Sequence, residues 1–279
     1  MDALAPNSLT RLLTEYQQDK RQWLNLGTPW TTEGSKSWLA RNIGPTDRAL
    51  EFGAGRSTVF WARQAGKVTV VEGSPDWTFW TLFYLYEHPH LMKKVRWHFC
   101  PTEWNPDFPK GARRYWTENR GSLDANDVTD LERDLASVSF SGNNVVLFDG
   151  NIRKHVFLYQ VAQMNFDEVE VIVIDNCENM WTSETAGALI RPDFERLDFV
   201  AGPLDDVPSH QKGKHITSVF VRKDRFARSV HVKTHVSPKM DLETRKKYMQ
   251  VVEGFDVDAQ ISDGYRYLSE TLGLDVGRR

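Results

Sequence analysis

Short apolar runs bounded by turn residues recur between residues 48 and 223, and stretches of helical periodicity separate most of them. Ala49-Leu50-Glu51-Phe52, Val68-Thr69-Val70-Val71 and the runs at 95–99, 144–150 and 168–176 read as buried strands. Near-continuous apolar character is what a strand covered on both faces requires. Two later runs, 196–200 and 215–223, follow each other with no clear long helix between them. Five strands alternating with helices and then two strands joined directly predict a doubly wound α/β fold. Its sheet would have seven strands, mostly parallel, with one antiparallel edge strand.

The flanking segments carry a different pattern. Residues 8–25 predict a helix capped by Asn7 or Ser8, with Leu9, Leu12, Leu13, Tyr16, Trp23 and Leu24 on its apolar stripe and 17–22 on its solvated face. Gly27-Thr28-Pro29-Trp30 breaks it, and Thr32 or Ser35 opens a second helix through Ala40. Residues 1–45 are therefore expected to form a helical cap at one end of the sheet, with simple packing on the sheet edge as the other reading. Helices are also predicted at 58–63, at 75–86 after Ser74, at 125–136 and at about 156–164. Residues 103–143 are the least regular and read as a lid-like insertion. The tail, 224–279, predicts two polar helices at 241–253 and 259–272 that pack on the body, cover the site or form a homodimer contact.

The stretch Glu51-Phe52-Gly53-Ala54-Gly55-Arg56-Ser57-Thr58 joins the first strand to the first following helix. Gly53 and Gly55 let the backbone turn sharply and lie against a ligand. Ser57 or Thr58 can cap the helix. About twenty residues on, the second strand ends in Glu72-Gly73, where a carboxylate can accept hydrogen bonds from both hydroxyls of a ribose. Thr58 stands where the dinucleotide fingerprint has its third glycine.

Composition narrows the functional classes. A formal charge of -3 and a pI near 6.3 argue against general nucleic-acid binding, which needs a basic face. Cys100 and Cys177 lie far apart, which suits a reducing, cytoplasmic setting better than a disulfide scaffold. No signal peptide is expected at the N-terminus, and no apolar run reaches the ~18 residues of a membrane span. Ten tryptophans are many for 279 residues, and most fall in the first 120. His98 and Cys100 have no second pair at ligand spacing and read as strand residues rather than a zinc site.

The pattern Glu-x-Gly-x-Gly-x-Ser-Thr, followed by a strand ending Val-Glu-Gly, resembles the first two motifs of class I S-adenosylmethionine-dependent methyltransferases. Phe148-Asp149-Gly150-Asn151-Ile152-Arg153, Ile174-Asp175-Asn176 and Thr217-Ser218-Val219-Phe220-Val221-Arg222 resemble segments of an uncharacterised bacterial small-molecule methyltransferase-like subgroup. The resemblance covers 48–223 and implies a Rossmann-like domain over 46–223 with S-adenosyl-L-methionine as cofactor. It places Glu51, Gly53, Ala54 and Gly55 against the methionine part and Glu72 against the ribose, with Ser57, Thr58 and Gly73 completing the cofactor set. A residue among 100–103 would face the adenine.

Methyl transfer needs an acceptor atom held in line with the methyl group and a group that removes its proton. Asp149, at a strand end, is expected to line the site, with capping of the next helix as its other role. His155 is the candidate base, because imidazole titrates near neutrality. Asp149, Asp175 and Asn176 also resemble the metal-holding set of catechol O-methyltransferases, a minority reading with Mg2+. The activity expected is transfer to a small-molecule acceptor, at oxygen ahead of nitrogen. A non-catalytic cofactor-binding or scaffold protein, a nicotinamide-dependent oxidoreductase and a nucleic-acid methyltransferase stand as alternatives.

Overall fold

Strand β1 (Arg48–Phe52) is third in a seven-stranded sheet whose order is β3-β2-β1-β4-β5-β7-β6. The others are β2 (Lys67–Glu72), β3 (Val95–Phe99), β4 (Val145–Phe148), β5 (Val171–Ile174), β6 (Phe194–Val200) and β7 (Ile216–Arg222). The computed structural model describes residues 6–100, 138–149, 164–177, 190–202, 205, 213 and 215–231. The expected helices at 125–136, 241–253 and 259–272, the greater part of that at 156–164, and most of the lid-like insertion lie outside the described residues.

The first five strands run parallel, β1 pairing with β2 and β4, β2 with β3 and β4 with β5. Strand β7 is antiparallel to both β5 and β6. The antiparallel edge expected from the sequence is therefore the β6–β7 pair. The reversed strand is β7, one place in from the edge: the chain leaves β6 at Val200 and re-enters the sheet at Ile216, between β6 and β5. Insertion next to β5 also brings the start of β7 to the carboxyl end of β5.

Alternation along β1 divides the core. Leu50 and Phe52 join Val146, Phe148, Ile172, Ile174 and Phe220 on one face. Ala49 lies on the other with Val68, Val70, Val145, Leu147, Val171 and Val173. Period-two geometry puts Glu51 on this second face. Helix α4 (Arg56–Gln64) covers it with Val59, Phe60, Trp61 and Ala62. Phe52 and Phe148, paired in register, stack with ring centroids 4.9 Å apart.

The N-terminal helix is longer than its pattern predicts and has an interruption. It runs as α1 (Pro6–Glu15), a π-helical turn (Tyr16–Lys20) and α2 (Arg21–Asn25). Leu12, Tyr16 and Leu24 are buried, but Leu9 and Leu13 are 44% and 42% exposed. The buried stripe is narrow because the helix meets α5 (Pro75–Glu87) along one seam, where Tyr16 packs on Phe83. Residues 17–19, 21 and 22 are exposed, as expected. Helix α3 (Glu33–Asn42) lies against β6 and β7. A short helix, α6 (Pro89–Met92), precedes β3, and α7 (Lys223–Phe226) follows β7.

Candidate functional site

The carboxyl ends of β2, β1, β4 and β5 each carry an acid: Glu72, Glu51, Asp149 and Asp175. Neighbouring strands lie about 4.8 Å apart, so these ends form a row along one sheet edge. Ligands of open α/β sheets bind outside this edge. The chain reverses direction between β5 and β7, so His215, just before β7, stands at the same edge.

Between β1 and α4 the backbone takes conformations that favour glycine. Gly53 has φ 111° and Gly55 φ 146°. Gly53 N–H donates to Val71 O at 2.8 Å, and Asp149 N–H donates to Phe52 O at 2.8 Å. The bend is thereby tied to the ends of β2 and β4. Gly55, rather than Ser57 or Thr58, precedes the helix as its cap residue, and α4 starts at Arg56. Thr58 still performs a capping bond from inside the first turn, since its Oγ1 accepts from Gly55 N–H at 3.1 Å.

Thr58 in turn donates a hydrogen bond from its hydroxyl to Glu51, with Oγ1 2.6 Å from Oε2. Glu51 is fully buried, and its Oε1 has no hydrogen-bond partner among the described residues. An open carboxylate oxygen inside a protein is costly unless a partner arrives. Burial pushes the Glu51 carboxyl up to about 8; the neighbouring Ser57 and Thr58 hydroxyls pull against that rise, and the charge of Asp149 adds to it. Glu72 is buried at the end of β2, where Oε1 accepts from Ser74 N–H at 2.6 Å and its backbone carbonyl accepts from Cys100 N–H at 2.9 Å. Gly73 is buried beside it and Ala54 is half-buried in the bend.

The helical N-terminus reaches this bend. Trp23 of α2 and Trp77 of α5 pack at 5.4 Å, and a Cβ built on Gly55 would lie 3.7 Å from both indoles. The Arg56 guanidinium sits 5.1 Å above the Trp23 ring and donates to Thr28 Oγ1 at 2.7 Å. Trp38 and Trp61, by contrast, are core residues.

At the far end of the row, Asp175 Oδ1 accepts from Thr217 Oγ1 at 2.8 Å and lies 3.1 Å from His215 Nε2. Asn176 Nδ2 is 3.0 Å from His215 Nδ1, and Thr217 Oγ1 accepts from Thr32 N–H at 3.2 Å. Asn176 has φ 54°, which turns it back towards β7. This arrangement does not support the Mg2+ reading. Asp175 and Asn176 face His215 and Thr217, and among the described residues no three His, Cys, Asp or Glu side chains are grouped as metal ligands.

The structure thus gathers Glu51, Gly53, Ala54, Gly55, Ser57 and Thr58 on one bend and sets Glu72, Gly73 and Asp149 beside it. His155 lies outside the described residues. His215 was legible only as the first residue of a strand run, since nothing in its neighbours announces the pairing with Asp175 across 40 positions of chain. Cys100 and Cys177 are both buried and unbridged. Among the described residues no helix is long and apolar enough to cross a membrane.

No protein-family model matches the sequence, and no curated protein matches it either. Solved structures resemble it in shape. An rRNA methylase from Streptococcus thermophilus shares 12% identity over 67% of this chain and 93% of its own, with a TM-score of 0.41. An O-methyltransferase from Streptomyces achromogenes shares 14% over 80% and 92%, with a TM-score of 0.39. A methyltransferase-like protein from Silicibacter pomeroyi shares 16% over 80% and 88%, with a TM-score of 0.36. The sheet order and the reversed β7 give this chain a Rossmann-like fold.

Proposed function

We propose that this protein is an S-adenosyl-L-methionine-dependent methyltransferase acting on a small-molecule acceptor, at oxygen ahead of nitrogen. The observation that carries the reading is the open Oε1 of a fully buried Glu51 on a glycine bend. A cationic ligand group satisfies that oxygen, and the α-ammonium of a methionine moiety is such a group. The positive φ of Gly53 and Gly55 keeps the bend tight beside Glu51. Glu72, one strand over, is the acid suited to ribose hydroxyls.

A nicotinamide cofactor fits less well. Its pyrophosphate needs free N–H groups at the start of α4, and Thr58 Oγ1 already takes the N–H of Gly55. The bound sulfonium supplies an activated methyl group. The chain's own contribution is to orient the acceptor, exclude water and take up a proton. Asp149 and the His215–Asp175 pair lie at the ends of β4, β5 and β7, beyond Glu51 in the row, and are the described groups whose chemistry suits those tasks.

Calorimetry with S-adenosylhomocysteine tests the cofactor. Binding in the micromolar range is expected, with Glu72→Ala weakening it by about ten- to a hundredfold, the worth of hydrogen bonds to a charged group. No binding, or an unchanged affinity in Glu72→Ala, overturns the reading. A tritiated donor offered to small phenols, carboxylic acids, amines and bulk RNA tests the acceptor. Label in RNA alone would replace the small-molecule acceptor with a nucleic acid.

A further inference from the structure

The bend that holds Glu51 offers it little to offset a negative charge. Its Oε2 takes a hydrogen bond from Thr58, the Ser57 hydroxyl beside it also favours the charged form, and its Oε1 takes no hydrogen bond among the described residues. The strand partners in register with it are Val70 and Leu147, both apolar and fully or almost fully buried. The ionisable neighbours on the surrounding elements are Asp149 after β4, Glu72 after β2 and Arg56 on α4. Two of the three are acids. Arg56 directs its guanidinium to Thr28 and the face of Trp23. The positive end of α4 favours an anion, but a helix dipole is weaker than full burial beside a second carboxylate.

We propose that Glu51 carries a proton in the empty protein and releases it to solvent when a cationic ligand group enters the glycine bend, so that ligand binding is coupled to proton release. The O–H bond of the carboxylic acid breaks, the proton passes to buffer, and the carboxylate left behind pairs with the incoming ammonium. The upward shift of this carboxyl by burial and by Asp149 agrees with the geometry. The inference rests on the proposed function for the identity of the ligand as an amino-acid-bearing nucleoside. It adds that affinity is set by pH through one residue.

The experiment is titration calorimetry of the full chain with S-adenosylhomocysteine in two buffers of different protonation enthalpy, from pH 6 to pH 9. At pH 7 the difference in heat should report release of close to one proton. Affinity should climb by up to about tenfold per pH unit and level off above about pH 8. Glu51→Gln, nearly isosteric, should keep the fold by circular dichroism, bind more weakly at pH 9 and show no proton release. 5′-Methylthioadenosine, which lacks the amino-acid part, should bind wild-type protein with no proton release. Binding with equal heats in both buffers, or the same proton count from Glu51→Gln or from 5′-methylthioadenosine, overturns the coupling and leaves the cofactor assignment standing. Absence of binding to the wild-type chain overturns both.

Discussion

Glu51 shows how one residue sets function against stability. In the unfolded chain its carboxyl ionises in the ordinary range, whereas in the empty fold it holds its proton up to about 8. Between those values the folded state binds the extra proton, so the stability of the empty protein falls as pH rises through this window and levels off above it. Glu51→Gln removes the penalty. Thermal and denaturant unfolding without ligand should show it more stable than wild type by about 1–3 kcal/mol at pH 7, with the gain vanishing near pH 4. Thr58 is the companion case. Its hydroxyl accepts from Gly55 and donates to Glu51, so Thr58→Val leaves a buried N–H and a buried carboxyl oxygen unsatisfied. The expected loss is about 1–3 kcal/mol, larger than for Thr14→Val on the exposed face of α1.

Among the elements, α7 has an importance out of proportion to its four residues. Arg225 donates through Nη1 to Asp47 Oδ1 at 2.8 Å and Glu170 Oε2 at 2.6 Å, and through Nη2 to Asp47 Oδ2 at 3.0 Å. Asn144 joins both acids through Nδ2. The cluster braces the amino edge of the sheet, opposite the edge that carries Glu51 and Glu72, by tying the segment after β7 to those before β1, β4 and β5. Burial works against the Asp47 carboxylate, yet the Arg225 and Gly44 hydrogen bonds and the Arg225 charge hold it below its ordinary range. Its contribution is present above the unfolded carboxylate range and is lost as pH falls through the lower folded value. Arg225→Ala strands two acids and should cost about 3–5 kcal/mol by urea unfolding at pH 7, with the deficit shrinking at low pH as the acids protonate.

At the scale of the molecule, the two ends of one sheet face carry different duties. The face under α4 and α5 holds the bend, and α2 is drawn to it by Trp23. Helix α3 lies at the other end, on β6 and β7, with Trp38 in the core. Removing either indole opens a void, at a cost of about 2–4 kcal/mol for such a deletion. The effects on binding should differ. At a temperature where both variants are folded, Trp23→Ala should weaken S-adenosylhomocysteine binding several-fold because Trp23 backs Gly55, while Trp38→Ala should leave it within about twofold. Equal losses in calorimetry would mean that the N-terminal helices stabilise the fold without shaping the bend.

The apolar runs alone determined that this chain builds seven strands, and Gly53, Gly55 and the acids at 51 and 72 marked a sharp bend with two carboxylates at one edge of the sheet. Such features are local: a strand buried on both faces must be apolar along its length, and a bend beside a ligand must lack Cβ atoms. The tertiary structure decided what depends on distant partners. Leu9 and Leu13 fit the helical stripe of α1 but face solvent, because the line of contact with α5 is narrower than the stripe. The reversed strand is second from the edge, because β7 pairs with β5 on one side and β6 on the other. His215 reaches Asp175 only because that reversal brings the beginning of one strand to the end of another. The open oxygen of Glu51 likewise had no signature in the sequence, since a carboxylate is left without a partner by everything that packs around it.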